Sequence, residues 1–424
     1  MELTQEERDI LDGKQGETLA KVMRTLVEYG EAFGASRMVK VTAPGHLVTS
    51  FGISILEANF RLMDELIKAG LKTKEPFTVD PRRPIDNADV PASVVQKVVG
   101  AVTYSKQDAY ERQLRAVGLK DESAFTCACY LPEVGNAPKR GDVLSWAESS
   151  AVVYANSVLG ARCNRNSGFI DLFGNIVGEV PEFGLLTDEG RKATWVVDVE
   201  CTEKPQAQVL GSAIGMKVMD EVPYIRGLSQ WLGGTLDDAA KAYLKDMGAA
   251  SASNGAVGLY HVDGITPEAV DLGESLIAEG AKHYVIDDAE LERVKAGYPN
   301  IWKKPDARPR LAFIGCPHCS LDQLKDWAHR IPEALAREGR TRVAVPTVVS
   351  SAPDVLTAFD GTPEKRKLLA TGAKLTYICP LMYMDNPATD LPVVTCSNKL
   401  RTYTSARYFD EDDLLRIIAR GRID

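Results

Sequence analysis

Leu311-Ala-Phe-Ile314, closed by Gly315-Cys316-Pro317-His318, is the stretch whose reading decides the fold. It is a short, β-rich apolar run that ends at a thiol, and the pattern recurs. Lys374-Leu-Thr-Tyr-Ile378 runs into Cys379-Pro380, and Pro392-Val-Val-Thr395 runs into Cys396-Ser397. Each run is bounded by Gly, Pro or Ser, and helical patterns follow the first and the last. Between the first two, Arg342–Val349 reads as a further strand, and Thr362-Pro363 as an N-cap with proline in the first helical position. Strands alternating with helices predict a parallel sheet, and ligands of such sheets gather beyond the carboxyl ends of the strands. Three thiols delivered to that one edge can converge on a single point.

The whole chain sets wide bounds around this unit. Its 424 residues suffice for two or three domains with a large core. An apolar fraction of 45% and a charged fraction of 26% are those of an ordinary soluble α/β protein. A net charge of −9 argues against a general nucleic-acid or anionic-membrane binder. No apolar run is long enough for a membrane span, and the acidic N-terminus is no signal peptide, so a cytoplasmic location is expected. Eight cysteines without a secretory signal favour thiols, metal ligands or catalysis over a disulfide framework.

Upstream, Thr4-Gln-Glu-Glu7 has capping-box spacing, and Gly16–Phe33 carries Leu19, Val22, Met23 and Leu26 on one helical face. Strand Met38–Thr42 ends before Pro44-Gly-His46, ahead of a helix near Ile53–Ala69; residues 92–118 read as helical. A small-residue helix from Ser145 through Ser157 contains Glu148, Ser149, Ser150 and Asn156 and leads to Arg162-Cys-Asn164-Arg165. It is too polar to read as plain core. Strand Trp195–Val199, the glycine-rich Gln208–Gly215, helix Leu236–Met247, strand Gly258–Val262 with His261, the cap at Thr266-Pro267 and strand His283–Ile286 with its cap Asp287 follow. Residues 297–309, rich in proline and polar side chains, read as a linker. The expected division is an N-terminal α/β region over 1–300, of one or two subdomains, and a C-terminal α/β subdomain over 301–424.

Several chemistries compete for the cysteines. Cys316-Pro-His-Cys319 between a strand and a helix has the spacing of a thiol-disulfide oxidoreductase, which leaves Cys379 and Cys396 unexplained. Structural zinc needs a second ligand pair. An iron–sulfur cluster accepts dispersed cysteines, and a three-cysteine cluster leaves one iron open as a Lewis acid. Three ordinary buried thiols remain a further reading. Gly211-Ser-Ala-Ile-Gly215 lacks the dinucleotide-binding order, and no GxSxG elbow is present.

Thr126-Cys127-x-x-Tyr130-Leu131, the run Ser149-Ser-Ala-Val-Val-Tyr-Ala-Asn156-Ser-Val-Leu-Gly-Ala-Arg162, His261-Val-Asp-Gly-Ile-Thr-Pro-Glu-Ala269, Ile314-Gly-Cys-Pro-His318, Pro44-Gly-His46 and Ser397-x-Lys399 together resemble the signature segments of the aconitase X family. The resemblance spans essentially the whole chain. It implies an aconitase-like arrangement of α/β/α subdomains, with mostly parallel sheets around a central cleft. It also implies an iron–sulfur hydro-lyase (4Fe-4S or 2Fe-2S) that dehydrates a small hydroxy acid, cis-3-hydroxy-L-proline or, as an alternative, mevalonate 5-phosphate. Members are completed by a small swivelling domain that carries a catalytic serine. This chain therefore reads as the large subunit without that domain, needing a separate small subunit; a non-catalytic scaffold is the competing role.

Carried over by position, the resemblance implies Cys127, Cys316 and Cys379 as cluster ligands, whereas the sheet-edge argument favours Cys396 over Cys127. His46, Glu148, Ser149, Asn156, His261 and His318 are then candidate catalytic groups. Ser150, Arg162, Asn164 and Lys399 are candidates for binding substrate.

Overall fold

The computed structural model describes residues 1–48, 50–82, 90–384 and 391–423. Its C-terminal part is built on a five-stranded, wholly parallel sheet. The strand order is Lys374–Thr376, Thr347–Ser351, Leu311–Cys319, Val393–Thr395 and Arg407–Tyr408. Leu311–Cys319 is the central strand and is buried along its length except at Gly315. Helices Leu321–Arg337, Pro363–Ala370 and Glu411–Arg420 pack around the sheet. Their starts follow local chemistry. Ser320 and Gln323 form a capping box, and the Thr362 hydroxyl accepts from the Lys365 N–H ahead of Pro363.

The central strand departs from the sequence reading, which ends it at Ile314. It continues through the Cys-Pro-His-Cys run to Cys319, crossing a register shift opposite Val349–Ser351. Gly315 makes this possible. Its φ is +96°, and a Cβ there would stand 2.2 Å from the Ser350 carbonyl oxygen, a position open only to glycine. The irregularity bends the strand and re-aims the residues that follow it. Cys316 and Cys319 therefore sit on a strand rather than at the head of a helix.

A second parallel sheet has the order His261–Val262, Pro223–Arg226, Ala193–Val199, Ile277–Ile286. The glycine-rich segment proves to be helical, Ala207–Val218, and it packs on helix Asp238–Asn254. Cβ atoms at Gly211 and Gly215 would stand 2.1 Å from the Met247 carbonyl oxygen and 2.5 Å from that of Ser251. Glycine serves here to bring two backbones together, not to cradle a phosphate.

The N-terminal part is mainly helical, with two short strand pairs. Met38–Lys40 runs antiparallel to Glu179–Pro181, and His46–Leu47 runs parallel to Thr78–Val79. Helix Glu17–Ala32 buries Val22, Met23 and Leu26 as its periodicity predicts, and Thr4 and Glu7 form the expected capping box. The helical region near 92–118 divides into Val94–Thr103 and Gln107–Val117. Strand 342–349 shifts to Thr347–Ser351. Residues 298–310 form neither helix nor strand. No helix among the described residues is long and apolar enough to cross a membrane.

Candidate active site

Three chain segments meet beyond the carboxyl end of the C-terminal sheet. The Thr126 N–H donates to Val79, continuing the edge of the Thr78–Val79 strand, and Cys127 follows at once. The His318 N–H points at the Cys127 sulfur, 3.4 Å away, and the Thr126 hydroxyl lies 2.9 Å from His318 Nδ1. Beyond Val79 the chain reaches Arg82, whose carbonyl accepts from the Cys379 N–H. Ser397, which follows strand Val393–Thr395, donates its hydroxyl to the Cys316 carbonyl.

Electrostatics give the same grouping. Cys127 raises the Cys316 thiol, and Cys316 in turn raises that of Cys379. Burial is the largest cause in each case. It pushes Cys316 and Cys379 up to about 12 and Cys127 well above its ordinary value.

Cys396 lies elsewhere. Its charged neighbours are Glu411, Asp246 and the Cys319 thiol. Consecutive residues at a strand end face opposite sides, and it is Ser397, not Cys396, that turns toward Cys316. The sheet-edge argument took Cys396; the side chain bonded to Cys316 at this strand end is that of Ser397. Cys319 is likewise pushed up to about 12 by burial. Neither thiol of the Cys-x-x-Cys run is thus the low-pKa nucleophile that disulfide exchange requires.

The centre of the site is an ion pair. Lys399, on helix Asn398–Tyr403, reaches Glu148, the N-cap of helix Ser149–Ser157, in a short contact between side chains only 6% and 5% exposed. Glu148 Oε2 also accepts from the Ser150 hydroxyl and the Ala151 N–H, each at 2.6 Å, while the Ser149 hydroxyl lies 3.4 Å from Oε1. Burial alone would raise the Glu148 carboxyl and lower the Lys399 amine. Their attraction and hydrogen bonds outweigh burial, so the carboxyl is held below and the ammonium above its ordinary value. The polar helix seen in the sequence thus has its first turn in the site.

Behind the pair stand His46 and an acid that the sequence reading passed over, Asp80. His46 is fully buried; its Nδ1 lies 2.9 Å from the Thr78 hydroxyl and its Nε2 3.6 Å from Asp80 Oδ1. Burial, with Glu148 adding to it, pushes the Asp80 carboxyl up to about 6 against the opposing pull of His46 and Lys399. His318 is pushed down to about 3, first by burial, and is neutral. The only sequence mark of Asp80 is the proline that follows it in Phe77-Thr-Val-Asp80-Pro81, since the run is too short for a periodic signal.

Four other candidates belong to a different network. Both ends of the Asn156 amide are occupied by the Cys163 and Gly258 carbonyls, the Cys163 N–H and Arg191. Asn164 bonds the Phe183 carbonyl and the Leu185 N–H. His261 Nε2 bonds the Arg191 carbonyl, and its ring faces Glu268, which is paired with the buried Arg191. The Arg162 fork is taken by the Leu186 carbonyl and Asp188. None of these bonds reaches Glu148, Lys399 or the three thiols. Arg165 differs: among the described residues it has no hydrogen bond or ion pair, and Glu148 is one of the charges acting on it.

The residues fit an iron–sulfur cluster. Cys127 and Cys316, from distant segments, share the buried Lys399 cation, and Cys316 neighbours Cys379. Polar atoms around them, including His46 Nε2, Asp80 Oδ1 and Tyr130 Oη, are buried without a hydrogen bond. Such atoms in a native interior call for an explanation, and a bound group is one. No three His, Cys, Asp or Glu side chains among the described residues are arranged to hold a single ion. A cluster makes a looser demand, since its cysteines bind different irons.

Family models named aconitase X first domain and aconitase X second domain match residues 1–189 and 193–296. The phosphomevalonate dehydratase large subunit of Thermococcus kodakarensis is 32% identical over 362 residues, 85% of this chain and 83% of that protein. The chain belongs to the aconitase X family. Its structure agrees: the crystal structure of Thermococcus kodakaraensis aconitase X in its holo-form superposes with a TM-score of 0.80 at 29% identity, covering 98% of this chain and 99% of that one. A third relative, the cis-3-hydroxy-L-proline dehydratase of Pseudomonas aeruginosa, is 28% identical over 386 residues; the match takes in 89% of this aconitase X chain but 61% of that protein.

Proposed function

We propose that this aconitase X chain is the large subunit of an iron–sulfur-dependent dehydratase that removes water from a small hydroxy acid, cis-3-hydroxy-L-proline, and that a second, smaller polypeptide completes it. The dehydratase class follows from the Thermococcus kodakarensis and Pseudomonas aeruginosa relatives above, both of which are named as dehydratases. The cluster reading is supported by one chain of contacts: the Lys399–Glu148 pair acts on both Cys127 and Cys316, and Cys316 acts in turn on Cys379. These three thiols would hold the cluster. When bound, it supplies a Lewis-acid iron able to polarise an oxygen of the substrate.

The chain's own groups supply the rest. Lys399 places fixed positive charge in a water-poor site, and Glu148 with Ser150 keeps it oriented. Arg165 clamps the substrate carboxylate with its planar fork. Asp80, its carboxyl pushed up to about 6, gives a proton to the departing hydroxyl from its protonated form, with His46 3.6 Å away to hold it in place. The α-proton is taken by a base from the smaller polypeptide. Mevalonate 5-phosphate is the second reading, favoured by the higher identity to phosphomevalonate dehydratases, 32% against 28%.

Iron counting tests the ligand set. The anaerobically purified chain should hold about two to four irons. Cys127→Ser, Cys316→Ser and Cys379→Ser should each lose most of the iron, and Cys396→Ser should keep it. Iron retained by Cys379→Ser, or lost only from Cys396→Ser, would sink this assignment. Arg165→Met should raise KM at least about tenfold with kcat little changed, the signature of lost ground-state binding; an unchanged KM would remove Arg165 from the site. Assaying both hydroxy acids with the two polypeptides present decides between the substrates.

A further inference from the structure

Helix Val94–Thr103 is built inside out. Its residues buried against the chain are Gln96 and Gly100, while Val94, Val95, Val98 and Val102 are between 58% and 78% exposed. At the helical repeat these four valines fall within one arc of about 100°, the width of stripe that a helix normally turns to a core. The helix does not lie this way for want of anchoring. Ser93 and Gln96 close a full capping box at its start, and at its end the Ser54 N–H donates to the Thr103 carbonyl. That bond brings the loop carrying Ile55, 85% exposed, and Leu56 alongside the helix terminus and extends the apolar surface. Isolated exposed valines need no explanation, but a contiguous apolar face on a firmly held helix marks an interaction site.

The position of this face says what covers it. In the segment leading to Ile55, the Ser50 hydroxyl bonds the carbonyl of Pro81, the residue after Asp80. On the other side the Tyr383 hydroxyl bonds the Pro91 carbonyl just ahead of the helix, and Tyr383 lies on the short helix that follows Cys379. The valine face is thus tied by hydrogen bonds to the segment that carries Asp80 and to the helix that follows Cys379. Relatives of similar length are named large subunits, and the Pseudomonas aeruginosa relative has a substantial part beyond the match.

We infer that Val94, Val95, Val98 and Val102, with Ile55 and Leu56, form the surface on which the smaller polypeptide of the dehydratase docks and closes the site; this rests on the two-polypeptide reading above. The smaller polypeptide should present a complementary apolar patch there, as the cores of stable interfaces do.

The test uses the full chain and, as probe, the polypeptide of the same organism that matches the part of the Pseudomonas aeruginosa dehydratase this chain does not span. The wild-type chain and Val270→Glu, an exposed valine on helix Pro267–Leu272, should bind it with equal affinity in analytical ultracentrifugation. Val95→Glu/Val98→Glu should bind at least 100-fold more weakly, with an unchanged unfolding temperature and unchanged iron content. A complex that survives the double substitution overturns the docking surface while leaving the two-polypeptide reading intact. Absence of a complex with the wild-type chain overturns both. A wild-type chain that self-associates through this face, and becomes monomeric on the double substitution, assigns the face to a second copy and overturns the proposal.

Discussion

Lys399→Met is expected to destabilise the fold by about 3–5 kcal/mol, because it leaves the Glu148 carboxylate buried without its counter-charge. Methionine keeps most of the volume, so the loss reports charge rather than a cavity. The carboxyl then has burial raising it and no ammonium opposing, and it takes up a proton. The sign of the pH dependence consequently reverses. In the wild type, Glu148 is held below its ordinary value, so its contribution is present above that value and fades as pH falls. In the variant the carboxyl is raised, and stability falls as pH rises through its new value. Glu148→Gln/Lys399→Met should recover a large part of the loss, since neither charge is stranded. Urea unfolding at pH 5 and pH 8 reads all of this; a loss below about 1 kcal/mol at pH 8 would mean that the pair is solvated and does not organise the site.

Asp80→Asn carries the largest expected effect on rate, a fall in kcat of about 10²–10⁴-fold, the usual contribution of a positioned acid or base. The pH profile is the sharper readout. With its carboxyl at about 6 and acting as the acid, wild-type kcat/KM should fall as pH rises through that region, and the Asn variant should lack this limb. Stability should move the other way. A carboxyl raised in the folded state favours folding only at low pH, and this contribution is lost as pH climbs through about 6. At pH 8 the variant, spared a buried carboxylate, should be more stable by about 1–3 kcal/mol. Loss of activity together with loss of stability at pH 8 would instead mark Asp80 as a structural partner of His46.

The sequence discloses the parts of this site unevenly, for identifiable reasons. Cys316 and Cys379 are readable because each ends a short apolar run closed by proline, and strand ends of a parallel sheet share one edge. Cys396 also ends an apolar run, closed by serine instead of proline, and it is Ser397 beside it that meets Cys316, since one step along a strand reverses the direction of a side chain. Nothing in a linear pattern says whether Cys396 or Ser397 faces the pocket. Asn156, Asn164 and Arg162 look functional because they are polar in a helical, small-residue context. Their polarity is spent on the Arg191–Glu268 network and on backbone groups that the fold buries around them. Asp80 was passed over because its strand, Thr78–Val79, is two residues long and gives almost no periodic signal.

Local chemistry in the chain was enough to determine the alternation of strands and helices, the caps at Thr4, Ser320 and Thr362, the parallel C-terminal sheet and the family. Each of these depends on residues a few positions apart, whose interactions are already present in the linear text. Which thiols share a pocket, which cation meets Glu148 and which helix turns its valines outward were decided only in three dimensions. Lys399 and Glu148 are separated by 251 positions, and Cys127 and His318 by 191. Contacts of that range are set by the bend at Gly315 and by the packing of helix Asn398–Tyr403 on helices Ala207–Val218 and Asp238–Asn254.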